Sequence, residues 1–199
     1  MGVDGAGDVP FREVVGSLMW IANQTRPDIS NAVRAVARHS HEAKKSHWKA
    51  ARKILNYLLG TAHLTFKYKQ DTMVDVGTLV YVDANFASKA TDRRSVSGAR
   101  VLVADCLVGW ISRTQRCVIL STTEAEYVAM GDGVKEALFV NGMLEFLRPS
   151  DRIGMIQVRE DNEGAIALNE NPLSSCNSKH FDVRHHFLRN LTEEGGVYS

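Results

Sequence analysis

The chain has 199 residues, 44% hydrophobic and 24% charged, with a formal net charge of +1. This suits one large soluble domain, or one domain with an appendage, and no apolar stretch approaches the length of a membrane span. Cys106, Cys117 and Cys176 are odd in number and lack C-x-x-C spacing, which argues against a disulfide framework or a thiolate zinc site and fits an intracellular compartment, cytoplasmic or nuclear.

Residues 1–9 are rich in Gly and Asp and are expected to be disordered. Residues 10–70 are expected to be mostly helical. Phe11 to Gln24 carries apolar residues at helical spacing. Thr25-Arg26-Pro27-Asp28 interrupts it, and Pro27 suits the first turn of a second helix bearing Ile29, Ala32, Val33, Val36 and Ala37. A third helix runs from about Ser46 to Gly60, with Trp48, Ala51, Ile54, Leu55 and Leu58 as its stripe. Leu64 to Tyr68 alternates like a strand. Residues 78–83 read as a buried strand ending in an acid. Gly98 to Val103 and Leu107 to Ile111 read as strands with a turn near Asp105, and Cys117 to Leu120 as a further strand. A long helix is expected from Thr122 to Leu147, a strand over Met155 to Glu160, a short helix over Asn162 to Asn169, and a last helix from Lys179 to about Glu193. Strands followed by alternating strand and helix predict an α/β domain over residues 77–199, a mixed sheet with helices on its faces.

The small net charge hides an asymmetry. Residues 1–70 carry 11 Lys and Arg against 5 Asp and Glu, and residues 71–199 carry 13 against 18. The front could meet phosphates and the remainder could hold metal. Asp83 and Asp161 each follow a strand, where ligands gather in open α/β sheets. Asp161 has a second reading, as a helix N-cap. Near residue 122 two acids compete. Ser121-Thr122-Thr123-Glu124 is a capping box. Glu126 instead begins the stripe Ala129, Met130, Gly133, Val134 and Ala137, fit to lie on a sheet, whereas the stripe from Glu124 (Tyr127, Val128, Gly131, Asp132, Lys135) drifts toward solvent. Asp83, Glu126 and Asp161 are therefore the candidate catalytic and metal-holding carboxylates. Mg²⁺, or Mn²⁺, is the expected cofactor, since three converging acids need a hard cation among them.

At these residues the sequence resembles a known family. Tyr81-Val82-Asp83-Ala84-Asn85, Asp92-Arg93-Arg94-Ser95-Val96-Ser97-Gly98, Gly109-Trp110-Ile111-Ser112, Leu120 to Tyr127, Glu160 to Leu168 and Lys179 to Phe187 are similar to the ribonuclease H region of copia-type retrotransposon Pol polyproteins. Val15 to Trp20, Thr25 to Ile29 and His47 to Arg52 resemble the end of the preceding reverse-transcriptase region. The resemblance implies a ribonuclease H-like fold and Mg²⁺-dependent hydrolysis of RNA in RNA–DNA hybrids. It implies Asp83, Glu126 and Asp161 as the first three metal-site acids, and the rest of a Pol polyprotein as a partner. It also implies a last strand and a helix with a further Asp after residue 199. The chain is thus expected to be truncated, and the alternative to an enzyme is an inactive relic that at most binds nucleic acid.

Further candidates are secondary. His180, Asp182, His185 and His186 form a dense cluster, in which Asp182 could substitute as a metal ligand and His180 could assist proton transfer. Lys44, Lys45, Lys49 and Lys53 belong to a basic stretch that is either a solvated face or a phosphate contact, and Arg93 and Arg94 could also hold backbone phosphates. Trp20, Trp48 and Trp110 are expected in the core.

Overall fold

The computed structural model describes residues 9–68, 76–88, 92–150, 153–170, 187–188, 190–192 and 196–198. Residues 1–8, most of the proposed last helix and the cluster around His180 and Asp182 lie outside them. The chain divides into two compact units, Met1–Lys67 and Tyr68–Ser199.

The first unit is helical. Helix α1 (Phe11–Gln24) buries Phe11, Val15, Leu18 and Ala22, one stripe at helical spacing. It ends as predicted. After it Pro27 opens a single 3₁₀ turn, Pro27–Ile29, and α2 (Ser30–Ala37) buries Val33 and Val36. Helix α3 (Lys45–Gly60) closes the core with Ala51 and Ile54, flanked by half-buried Trp48, Leu55 and Leu58. Its first turn is held by His47, whose Nδ1 accepts the Lys44 backbone N–H at 3.1 Å. Trp20 corrects the expectation of a core tryptophan. It is 66% exposed, because the α1 stripe turns its neighbours Leu18 and Ala22 inward. Leu64–Tyr68 is not a strand either: it alternates, but among the described residues no strand pairs with it.

Among the described residues, the second unit is built on a five-stranded mixed sheet with the order β3-β2-β1-β4-β5. Strand β1 (Val76–Asn85) pairs antiparallel with β2 (Val96–Val103), which pairs antiparallel with β3 (Cys106–Thr114). The two-residue turn between β2 and β3 uses Ala104 and Asp105, both at positive φ (48° and 59°), as a primed hairpin turn requires. On its other edge β1 pairs parallel with β4 (Ile153–Arg159), and β4 pairs parallel with β5 (Val197–Tyr198). This pairing corrects one expectation: a further strand does begin at Val197, where Ile156 N donates to Gly196 O at 3.0 Å. Cys117–Leu120, by contrast, is an irregular connection and not a strand.

Helix α4 (Thr122–Leu147) lies over β1 and β2, and α5 (Glu163–Glu170) follows β4. Val80, Val82, Ala99 and Val101 of the sheet meet Tyr127, Met130, Val134 and Ala137 of α4 in one core. The approach is closest at Gly133, where a Cβ would stand 2.5 Å from Val82 Cγ1 and 3.2 Å from both Ala99 Cβ and Val80 Cγ1. Only glycine lets α4 sit at this depth. The mixed α/β, ribonuclease H-like architecture expected from sequence is the one observed. Among the described residues, no helix is long and apolar enough to cross a membrane.

Candidate active site

The site is assembled by strand register and by two helix starts. Tyr81 of β1 pairs with Arg159 of the parallel β4. Asp83 and Asp161 each follow that pair by two residues, so both lie at the same end of adjacent strands. Asp83 is not at a strand end as expected. It lies inside β1, opposite Gly98 of β2, in the exposed row that alternates with buried Val82 and Ala84. Asp161 is exposed and follows β4. It does not cap α5. That role belongs to Asn162, whose Oδ1 accepts the Ala165 N–H at 3.0 Å. The alternative reading of Asp161 is thereby removed.

The starts of α4 and α5 are held close together. A Cβ on Gly164 of α5 would lie 3.1 Å from Asn162 Oδ1 and from the side chain of Thr123 on α4. Gln115, just after β3, is buried and ties the start of α4 to the sheet. Its Nε2 donates to Ser97 Oγ at 3.1 Å and to the Ala125 carbonyl at 2.9 Å. Sequence reasoning misses this residue, since a lone Gln in an irregular connection carries no pattern.

The two acids of α4 separate as expected. Ser121 Oγ accepts the Glu124 N–H at 3.1 Å, and Glu124 Oε2 accepts the Leu120 N–H at 3.4 Å, so Glu124 caps the helix. Glu126 is only 9% exposed. The solvent-facing stripe expected from Glu124 needs correction, however. Tyr127, Val128, Gly131 and Asp132 are all buried, because α4 has the sheet on one side and Leu188 on another, near Gly131. Over residues 125–134 α4 is buried all round and shows no polar face to compare, and of the expected stripe only Lys135 is exposed.

Glu126 is an acid in a hostile setting. Its Oε2 is buried and accepts no hydrogen bond. Its pKa is pushed up to about 7, first by burial, then by the negative charges of Glu160 and Asp83, with Asp161 adding to them and the Ala84 backbone partly offsetting. The charges of Glu160, Asp83 and Asp161 thus all act on Glu126. Glu160 is not among the acids that the sequence singles out. It too is raised to about 7, by burial first and with Asp161 contributing, against hydrogen bonds from Asn162 and Asp161. Its only sequence signal is its position between the end of β4 and Asp161. Among the described residues, no three such groups form a ready-made metal-binding cluster. The orphaned, buried carboxylate oxygens and the all-oxygen donor set nevertheless fit a hard divalent cation.

The basic candidates fall into two groups. Arg93 is exposed at positive φ (54°) on the loop between β1 and β2, and beside it Arg94 Nε lies 3.6 Å from Asp92. Lys44, Lys45, Lys49 and Lys53 are exposed at the start of α3 and along it, in the first unit.

This mixed sheet, with buried Glu126 on the helix that covers it and Asp83 and Asp161 at the same end of β1 and β4, defines a mixed α/β domain. No protein-family model matches the chain. The chain is 34% identical over 186 residues to the retrovirus-related Pol polyprotein from transposon TNT 1-94 of Nicotiana tabacum, a match covering 94% of this chain. It spans only 14% of that polyprotein's length. It is also 34% identical over 134 residues to secreted RxLR effector protein 161 of Plasmopara viticola, covering 67% of this chain and 92% of that protein. Among solved structures, the LC11 ribonuclease H1 in complex with an RNA/DNA hybrid is similar at a TM-score of 0.40 and 11% identity, over 60% of this chain and 80% of that one. Over 94% of its length the chain is homologous to a segment of the retrovirus-related Pol polyproteins of plant transposons.

Proposed function

We propose that the second unit is a copia-type retrotransposon ribonuclease H that hydrolyses the RNA strand of RNA–DNA hybrids with Mg²⁺. The observation that carries this reading is Glu126 Oε2, buried without a partner among three other negative charges. Uncompensated buried charge is costly, and a fold keeps it where a cation restores the balance. Asp83, Glu126 and Asp161 would hold the ion. When bound, the metal would supply an activated water and stabilise the developing charge on the leaving oxygen. The chain's own residues would do the rest. The α4 core fixes Glu126, Asn162 rather than Asp161 caps α5, and Arg93 and Arg94 offer cations to backbone phosphates near the first acid. In the first unit Lys44, Lys45, Lys49 and Lys53 would add sequence-independent contact with the nucleic acid.

The test is a hybrid with labelled RNA, incubated with the purified chain and Mg²⁺ or Mn²⁺, beside an RNA–RNA duplex. Cleavage of the hybrid alone, reduced about a thousandfold or more in Asp83→Asn, is the expected result, as removal of a group that stabilises the transition state costs about 4 kcal/mol. Cleavage that persists in Asp83→Asn would assign the activity elsewhere. Binding of hybrid with no cleavage by the wild-type chain would leave only the nucleic-acid-binding relic.

A further inference from the structure

We propose that Glu160 is a fourth carboxylate of the metal site, offering its Oε2 to the cation while its Oε1 holds the backbone that carries Asp161. This rests on reading Asp83, Glu126 and Asp161 as a metal site, and adds a residue that this reading does not require. Glu160 is the first residue beyond β4. Its Oε1 accepts the Asp161 N–H at 3.1 Å and the Asn162 N–H at 3.0 Å. Its Oε2 is buried and has no hydrogen-bond partner. A carboxylate serving only to brace a loop would let its second oxygen reach water. Here that oxygen is withheld from water and left empty, as is Oε2 of Glu126. Glu126 is itself nine-tenths buried, and the helix that carries it meets the helix that follows Glu160 where Thr123 faces Gly164. On each of these two acids one carboxyl oxygen is buried without a partner, and a hard dication would satisfy both. The same side chain thus does two things: it sets the Asp161 backbone and completes the anionic surround.

The experiment is Mn²⁺ titration of the full chain by calorimetry and by the quenching of free-Mn²⁺ spin resonance, with thermal midpoints taken with and without metal. Glu160→Gln keeps an amide oxygen to accept the Asp161 and Asn162 N–H groups but removes the charge. The expected result is Mn²⁺ affinity lower by roughly tenfold or more, the scale seen when groups that support metal ligands are altered, together with a higher midpoint in the absence of metal. Glu160→Asp, which keeps the charge on a shorter arm, should fall between, and serves if the Gln variant does not fold. Unchanged affinity in both variants, with Asp83→Asn still weakened, would overturn the role of Glu160 and leave the site intact. Unchanged affinity in Asp83→Asn and Glu126→Gln as well would overturn the metal site itself, and the role of Glu160 with it.

Discussion

The two units treat buried charge in opposite ways. In the first, Arg26 is 8% exposed and fully engaged. Its Nε and Nη2 donate to Asp28 at 2.9 and 2.7 Å, while Nη1 and Nη2 reach the Thr61 carbonyl and hydroxyl at 3.2 and 2.6 Å. The Arg26 hydrogen bond is the main reason the Asp28 carboxyl sits below its ordinary pKa. In the second, Glu126 and Glu160 are buried among like charges and pushed up to about 7. A paired charge links the turn after α1 to the end of α3 and serves stability. An unpaired one works against stability and makes sense only with a partner that arrives from outside. The comparison separates structural charge from functional charge by whether the group's oxygens and N–H donors are satisfied.

The largest effect should follow from breaking the satisfied pair. Arg26→Ala strips Asp28 of its partner and Thr61 of its donors, and should destabilise the first unit by about 2–4 kcal/mol. Urea unfolding followed through Trp20 and Trp48, in a Trp110→Phe background, would measure it. A loss under about 1 kcal/mol would show that the pair contributes no more than a surface ion pair.

Packing gives the next effect. Gly133→Ala places a methyl group against Val82, Ala99 and Val80. Overpacking of this kind costs about 1–3 kcal/mol, partly offset by the ~1 kcal/mol by which Ala exceeds Gly as a helix former. Net destabilisation of the second unit alone is expected, with loss of metal affinity only insofar as α4 carries Glu126 away from β1. Calorimetric unfolding would distinguish the units. An unchanged midpoint would mean that α4 can lift off the sheet without cost.

The unsatisfied acids should behave in the reverse sense. In the folded chain both carboxyls keep their protons to about pH 7, against an ordinary 4.5. The folded state therefore binds more protons between those values, and stability should fall as pH rises through that window, then level off above it. Glu126→Gln should flatten the slope and raise metal-free stability at pH 8 by on the order of 1 kcal/mol. Added Mg²⁺ should stabilise the wild type more at pH 8 than at pH 5, because binding requires the charged form. Midpoints that rise with pH from 5 to 8 in the absence of metal would contradict this account of the acid cluster.

These contrasts also explain what is legible in the sequence. Helix α4 is legible to the residue, because a capping box marks its start and the small residues of its sheet-facing stripe mark its packing. Glu126 over Glu124 follows from the same pattern, though the expected solvent face of Glu124 does not exist: a helix covered on several sides loses its polar stripe. Leu64–Tyr68 has the period of a strand, but pairing depends on a neighbour that periodicity cannot supply. An acid that interrupts an apolar run suggests a strand end at Asp83, whereas β1 continues to Asn85 with Asp83 in its exposed row. Glu160 is invisible for a different reason. Burial of an acid in a connection is decided by how two helix starts meet, here Thr123 against Gly164, and nothing local records it.

The smallest effect on stability, and the sharpest on function, concerns charge that is neither buried nor paired with a site. Lys44, Lys45, Lys49 and Lys53 are exposed, so replacing all four with Gln should shift stability by about 0.5 kcal/mol or less, as for other surface changes. If they are merely a solvated face, binding of hybrid should not change either. If they meet phosphates, each lysine that neutralises a phosphate releases counterions. The logarithmic dependence of affinity on salt should then flatten by about 0.9 for each phosphate no longer neutralised, the value for a B-form duplex. We expect the slope to fall by more than one such unit while cleavage at saturating hybrid stays the same, because cations of this kind position the duplex without touching the reacting bond. Fluorescence anisotropy of a labelled hybrid, titrated at several salt concentrations, reads the slope directly. An identical slope in the quadruple variant would return these lysines to the solvent and leave Arg93 and Arg94 as the remaining cations to replace.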